Sequence, residues 1–206
     1  MKLYVTAHSP YARLARIIRR EKGLEGRVEE ILAQTRQVGS PYYDINPSGR
    51  VPYLMRADGI GMEGSASICE YLDRLDGEPA FDRPSGPELW EVLRVEGLAH
   101  SLLEGLSVWI RELIRPKDGR FAGLIEHEQE RVRRLLNVWD REIDNPLMHG
   151  PLNYAQLVLA CALHLEYWNP TFIWRADHPK LEIWLKNLED RPAFAATIAP
   201  SHLSLD

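Results

Sequence analysis

Cysteine is scarce in this chain: of 206 residues only Cys69 and Cys161 are cysteines, each inside an apolar run, SICEYL and LVLACAL. Two thiols in such settings read as buried packing groups and exclude a disulfide framework. No CxxC or HExxH pattern accompanies the histidines, so no metal is expected. Positive charge is also in short supply. The 25 basic residues stand against 30 acidic ones, a formal net charge of -5, the opposite of the basic excess that nucleic-acid binders carry. No nucleic-acid partner is expected. Long hydrophobic runs are missing too, since the longest, at 157–163, falls far below the roughly 20 residues of a membrane span. The start, MKLYVTAHSPYA, lacks the apolar core and cleavage site of a signal peptide. A cytoplasmic protein without membrane contact is the expectation.

What is present belongs to an ordinary globular chain, with 45% apolar and 27% charged residues and a length that suits one to two domains. Residues 2–7 alternate polar and apolar as a half-buried strand does, and His8-Ser9-Pro10 then turns the chain into a helix whose face carries Leu14, Ile17 and Ile18 and which stops at Gly23. A second strand at 27–32 makes the connection β-α-β, which implies a parallel pair. After a polar loop, Asp58-Gly59 joins two short strands in a hairpin, and Ser65 is expected to cap a helix running to about 75. The stretch DGEPAFDRPSGP at 76–87 reads as a linker. Beyond it every pattern is helical: 88–114, 123–143, and a segment opened by Asn153-x-x-Gln156 that is apolar nearly all round, as a helix at the centre of a bundle is. Two more helices follow His178-Pro179 and Arg191-Pro192, and no internal repeat is visible.

Three features invite a chemical reading. In NPSGRVPYL, Pro52 stands directly before a strand, where a residue without an N–H either marks a weak edge or gives the backbone a special conformation. The run Gly59-Ile-Gly61-Met-Glu-Gly64 matches the dinucleotide fingerprint GxGxxG, but it follows a hairpin instead of opening a βαβ helix, so no nucleotide site is expected. Arg13, Arg16, Arg19 and Arg20 on the first helix read as a solvated face.

Taken in order, SPYARLARI with EKGL, NPSGRVPYL, SASICEYLD, GPLNYAQLVLA and HPKLEIWLKNLEDRPAF resemble the glutathione S-transferase superfamily over nearly the whole chain. The SPY start and EGLAHSLLEGLSVWIREL are most similar to its bacterial serine-type members. The resemblance implies an α/β plus all-α fold: a thioredoxin-like β-α-β-β-β-α domain over 1–77, a linker at 78–87 and an all-helical domain over 88–206. It implies glutathione as co-substrate, a small electrophilic, mostly apolar second substrate, and a homodimer. Pro52 is implied to follow a cis bond that presents the main chain of Val51 to the cysteinyl backbone of glutathione as an added strand. Ser9, at the N-terminus of the first helix, is the implied catalytic hydroxyl, donating to the thiolate, with Arg13 one turn further on; a plain helix cap is the alternative role for it. Ser65 is implied to receive the α-carboxylate of the γ-glutamyl arm, and Arg50 the glycyl carboxylate unless it is simply solvated. Relatives usually place Glu, Asp or Gln immediately before this serine, whereas here Gly64 stands there, with Glu63 next to it as the nearest group for the γ-glutamyl amine. His100, Ser101, Glu104, Trp109 and Arg111 are the residues of the long helix considered for the second substrate. A non-catalytic relative serving as an interaction module is the alternative that Gly64 favours. Disulfide exchange would want a cysteine at position 9.

Overall fold

The computed structural model describes residues 1–81 and 83–199; Asp82 of the expected linker and residues 200–206 of the expected helical domain lie outside them. The chain forms two compact units, one built from 1–81 and 192–199, the other from 83–191.

In the first unit, β1 (Lys2–Val5), α1 (Pro10–Glu21), β2 (Glu29–Leu32), α2 (Tyr42–Ile45), β3 (Tyr53–Met55), β4 (Gly61–Glu63) and α3 (Ser65–Asp73) follow one another. The sheet has the order β2-β1-β3-β4, with β1 parallel to β2 and antiparallel to β3, and β3 antiparallel to β4. The element order β-α-β-β-β-α is the one the strand and helix pattern predicts, and it is thioredoxin-like as the resemblance implies, with the short α2 added between β2 and β3. Opposed residues share a face. Leu3, Leu54 and Met62 lie in one row, Tyr4, Tyr53 and Glu63 in the other. Arg16 of α1 pairs with Glu30 at 2.9 Å, and Glu30 stands opposite Leu3, so α1 covers the Leu3 face. The Tyr4 ring packs 5.6 Å from that of Tyr42, which puts α2 on the other face. The sequence pattern missed α2 because four residues carry no helical period; its signal is local. Ser40 Oγ accepts the Tyr42 N–H at 3.2 Å and donates to the Gln34 carbonyl at 2.6 Å, starting the turn that Pro41 continues.

Helix α1 ends as its sequence predicts. Gly23 takes φ +59, its N–H reaches the Arg20 carbonyl at 3.0 Å, and the Leu24 N–H reaches the Arg19 carbonyl at 2.8 Å. That is a Schellman closure, in which glycine avoids the strain other residues meet at positive φ. The arginines of α1 depart from expectation. Arg13 and Arg19 are buried, and Arg16 is half-buried. Arg13 Nε lies 3.3 Å from Thr197 Oγ1 and its Nη2 3.2 Å from the Phe194 carbonyl, while Arg19 donates to the Val28 and Glu25 carbonyls at 2.5 and 3.3 Å. They are staples, because a guanidinium carries enough directed donors to satisfy several carbonyls at once. Arg13 thereby fastens α8 (Pro192–Ala195) and the residues after it to α1, which is why 192–199 belongs to the first unit although the sequence pattern groups it with the helices of the second.

The second unit holds α4 (Glu88–Leu113), α5 (Ala122–Glu142), α6 (Tyr154–Leu163) and α7 (Pro179–Glu189). Every residue of α6 is buried, as its all-round apolar pattern predicts, and Asn153 Oδ1 caps it by accepting the Gln156 N–H at 3.1 Å. A Cβ on Gly105 of α4 would come within 3.1 Å of Glu128 and Arg131 side-chain atoms, so glycine lets α5 approach. Trp109 is buried against Phe172, with ring centroids 6.1 Å apart, so it does not lie open as a substrate contact, whereas Arg111 is exposed and donates through Nε to the Ser107 carbonyl. No helix among the described residues is long and apolar enough to cross a membrane.

A charged cluster ties together the last part of this unit, from His164 to Glu189. Glu189 Oε1 lies 3.0 Å from His164 Nε2 and 2.7 Å from Arg175 Nη2. The hydrogen bond from His164, and after it the Arg175 guanidinium, holds the Glu189 carboxyl at about 2, whereas burial pushes that of Glu166 up. A depressed carboxyl stabilises the fold at neutral pH and loses that contribution as pH falls from 4.5 toward about 2; the raised Glu166 works in the opposite sense. Urea midpoints measured across that window are therefore expected to fall more steeply for the native chain than for Glu189→Gln. Parallel curves would rule out the contribution.

Candidate functional site

The strand registers assemble the site. Tyr4 opposes Tyr53 and Tyr53 opposes Glu63, so the end of β1, the start of β3 and the end of β4 meet at one end of the sheet. The segments leaving these points carry Ser9, then Arg50, Val51 and Pro52, then Glu63, Gly64 and Ser65.

Ser9 is the N-cap of α1, and its Oγ accepts the Ala12 N–H at 3.1 Å. That bond uses a lone pair and leaves the hydroxyl proton without an acceptor among the described residues. The positive end of the α1 dipole surrounds it. Cap and donor are thus compatible roles. Arg13, one turn further on, directs its hydrogen bonds to Phe194 and Thr197, so what the structure shows of it is an anchoring role.

The Val51–Pro52 bond is cis, as the resemblance implies. Around it, NPSGR closes on itself. The Arg50 carbonyl accepts from the Tyr42 hydroxyl at 2.6 Å and from Asn46 Nδ2 at 2.9 Å, and the Arg50 N–H donates to Ser48 Oγ at 3.2 Å. Burial raises the Tyr42 phenol further above its ordinary range, which keeps it a neutral donor. Gly49, at φ +65, has no room for a side chain because a Cβ would meet Tyr43 Cε1 at 2.7 Å. The peptide groups of residue 50 are thereby spent internally. The next ones are open: among the described residues neither the N–H nor the C=O of half-buried Val51 has a hydrogen-bond partner, and the exposed Arg50 guanidinium has no ion pair. Tyr42 and Asn46 are the positioning residues that the sequence pattern did not reveal. Asn46-Pro47 opening a turn was the available signal.

Gly64, not Ser65, stands at the N-cap of α3, with φ +88 and ψ 115. Ser65 is the first helical residue and does not cap the helix as expected. The reason is the backbone: β4 enters α3 through a left-handed turn that leaves the Ser65 hydroxyl outside the capping position. That hydroxyl has no partner among the described residues, nor have the N–H groups of 65–67, while the first helical bond runs from the Ile68 N–H to the Gly64 carbonyl at 2.9 Å. Such an N-terminus suits a carboxylate. Space around Gly64 is ample, since the nearest atom to a Cβ there is Ser67 Oγ at 3.6 Å. Gly64→Ala is therefore expected to lower stability by about 1 kcal/mol through φ alone; an unchanged melting temperature would contradict this. Glu63 points with Tyr53 and Tyr4, opposite to Met62, and accepts a hydrogen bond from Ser48.

The GxGxxG run is a hairpin in the structure. Gly59 turns at φ +80, and Gly61 lies beneath Tyr53, whose hydroxyl occupies the place of a Cβ. Cys69 and Cys161 are buried thiols.

The family described as glutathione S-transferase, N-terminal domain, matches residues 3–80. The chain is 29% identical over 202 residues to the Uncharacterized GST-like protein YibF of Escherichia coli K12, covering 97% of this chain and 99% of the relative. Glutaredoxin 2 of Escherichia coli K12 is 35% identical, but over half of this chain and 47% of its own length. Among solved structures, a glutathione transferase family member from Pseudomonas fluorescens Pf-5 with bound glutathione superposes with a TM-score of 0.86 at 28% identity, covering 97% of this chain and 98% of that one. A glutathione S-transferase of Methylobacillus flagellatus KT, also with glutathione bound, gives 0.84 at 26% identity over 97% and 99%.

Proposed function

Because the chain belongs to the glutathione S-transferase superfamily, we propose that it binds glutathione and transfers its thiolate to small, mostly apolar electrophiles. In this reading the main chain of Val51, beside cis-Pro52, pairs with the cysteinyl backbone as an added strand. The Arg50 guanidinium pairs with the glycyl carboxylate. The Ser65 hydroxyl and the open N–H groups of α3 receive the γ-glutamyl carboxylate, with Gly64 supplying the turn. Ser9 donates its proton in a hydrogen bond to the sulfur, favouring thiolate over thiol. The thiol proton leaves to solvent, the sulfur pair forms the new S–C bond, and the leaving group of the electrophile departs with its own pair. Ser9 forms no covalent bond in this sequence.

One observation carries the reading: the groups that a γ-glutamyl-cysteinyl-glycine tripeptide needs lie at one end of the sheet, and those of Val51 and Ser65 have no partner among the described residues. A homodimer and a role in detoxification belong to the same proposal and rest on the resemblance, and a cytoplasmic location belongs to it as well. A monomer at micromolar concentration in sedimentation would remove the dimer from it. Gly64 supports the other reading, an interaction module, by withholding a carboxylate from the γ-glutamyl amine. Calorimetric titration with glutathione separates the two. Saturable binding below millimolar concentration is expected for the transferase, and no heat at millimolar glutathione would leave the module.

A further inference from the structure

Ser48 and Glu63 stand outside the contacts just assigned, yet they join two of the segments that carry them. Ser48 Oγ donates to Glu63 Oε1 and at the same time accepts the Arg50 N–H at 3.2 Å. The Ser48 N–H donates to Asn46 Oδ1 at 3.2 Å, and Asn46 Nδ2 returns to the Arg50 carbonyl at 2.9 Å. The far end of this chain of bonds is fixed by the sheet, because Glu63 is in register with Tyr53, which follows Pro52. A single carboxylate therefore spans from the loop that presents Val51 to the strand that delivers Gly64 and Ser65.

We propose that Glu63 is a positioning residue: through Ser48 it sets the spacing between the Val51 main chain and the N-terminus of α3, instead of binding the γ-glutamyl amine itself. This rests on the glutathione-binding reading above. A tripeptide that must touch both elements gains from their fixed separation, whereas a fragment touching one does not. The carboxylate accepts from Ser48 through one oxygen, so an amide in the same place serves as well, while a direct contact to an ammonium would need the charge.

The test uses Ser48→Ala, Glu63→Ala, Glu63→Gln and the double alanine variant of the full chain. Both single alanine variants are expected to weaken glutathione binding about fivefold, the loss of one hydrogen bond, and the double variant no further. Glu63→Gln is expected to bind like the native chain. Cysteinylglycine, which reaches only the Val51 side, should bind all four alike, and kcat at saturating glutathione should not change. A silent Ser48→Ala together with a weakened Glu63→Gln would overturn the proposal and make Glu63 a direct ligand. Additive losses in the double variant would overturn it too. Amide exchange of Arg50, followed by NMR without ligand, decides the matter independently. It should quicken in the alanine variants and not in Glu63→Gln, and unchanged exchange throughout would refute the tie. Should the native chain bind no glutathione, the functional reading fails while this exchange measurement still answers for Ser48 and Glu63.

Discussion

Ser9→Ala is expected to slow conjugation of 1-chloro-2,4-dinitrobenzene about a hundredfold at neutral pH while leaving glutathione affinity within about twofold. The hydroxyl acts on the sulfur; Val51, Arg50 and Ser65 act on the backbone and the carboxylates, so chemistry and binding separate. The sign of the pH effect follows from the bond. A donor to the thiolate stabilises the charged form and lowers the thiol's pKa; without it, the half-maximal point of the pH–rate profile moves up toward the free-thiol value of about 8.5. Raising the pH should therefore recover much of the lost rate. Because Ser9 Oγ also accepts the Ala12 N–H, the variant should lose about 1 kcal/mol of stability as any uncapped helix does. Stability loss with an unshifted profile would reduce Ser9 to a cap.

Much of this arrangement is written locally in the chain. Ser9-Pro10 and Gly23 mark the two ends of α1, Asp58-Gly59 the β3–β4 turn, and the apolar run at 157–163 the buried α6. These signals depend on neighbouring residues and on the period of the side chains, which a single sequence displays. What stayed hidden are partners distant along the chain. Nothing near Ser48 announces that its hydroxyl meets Glu63, and nothing near Glu63 tells whether it faces ligand or loop. Ser65 looked like a cap because serine before an apolar helix usually is one. The backbone of Gly64, at φ +88, moved the cap by one residue. The same limit governs Arg13, whose partner Thr197 is 184 positions away.

For Arg13→Leu a loss of about 3 kcal/mol in unfolding free energy is expected, with the Ser9 chemistry preserved. Arg13 is 5% exposed and its bonds to Phe194 and Thr197 come from a charged donor, the kind worth roughly 1.5 to 3 kcal/mol each. Leucine fills similar space but donates nothing, so Thr197 Oγ1 loses its charged partner and keeps its own bonds to the Ala193 and Phe194 carbonyls at 2.8 and 3.2 Å. Arg13→Lys should lie between the two, because an ammonium is a point donor without the fork that reaches both oxygens. Thr197→Val should lose less, and a double-mutant cycle with Arg13→Leu should return a coupling of about 1 kcal/mol, since each single change already breaks the shared bond. Chemical denaturation measures all of these. The assignment fails if Arg13→Leu keeps its denaturation midpoint while the pH–rate profile of conjugation moves upward. That pattern would place the charge of Arg13 in the field at Ser9, where the sequence first suggested it.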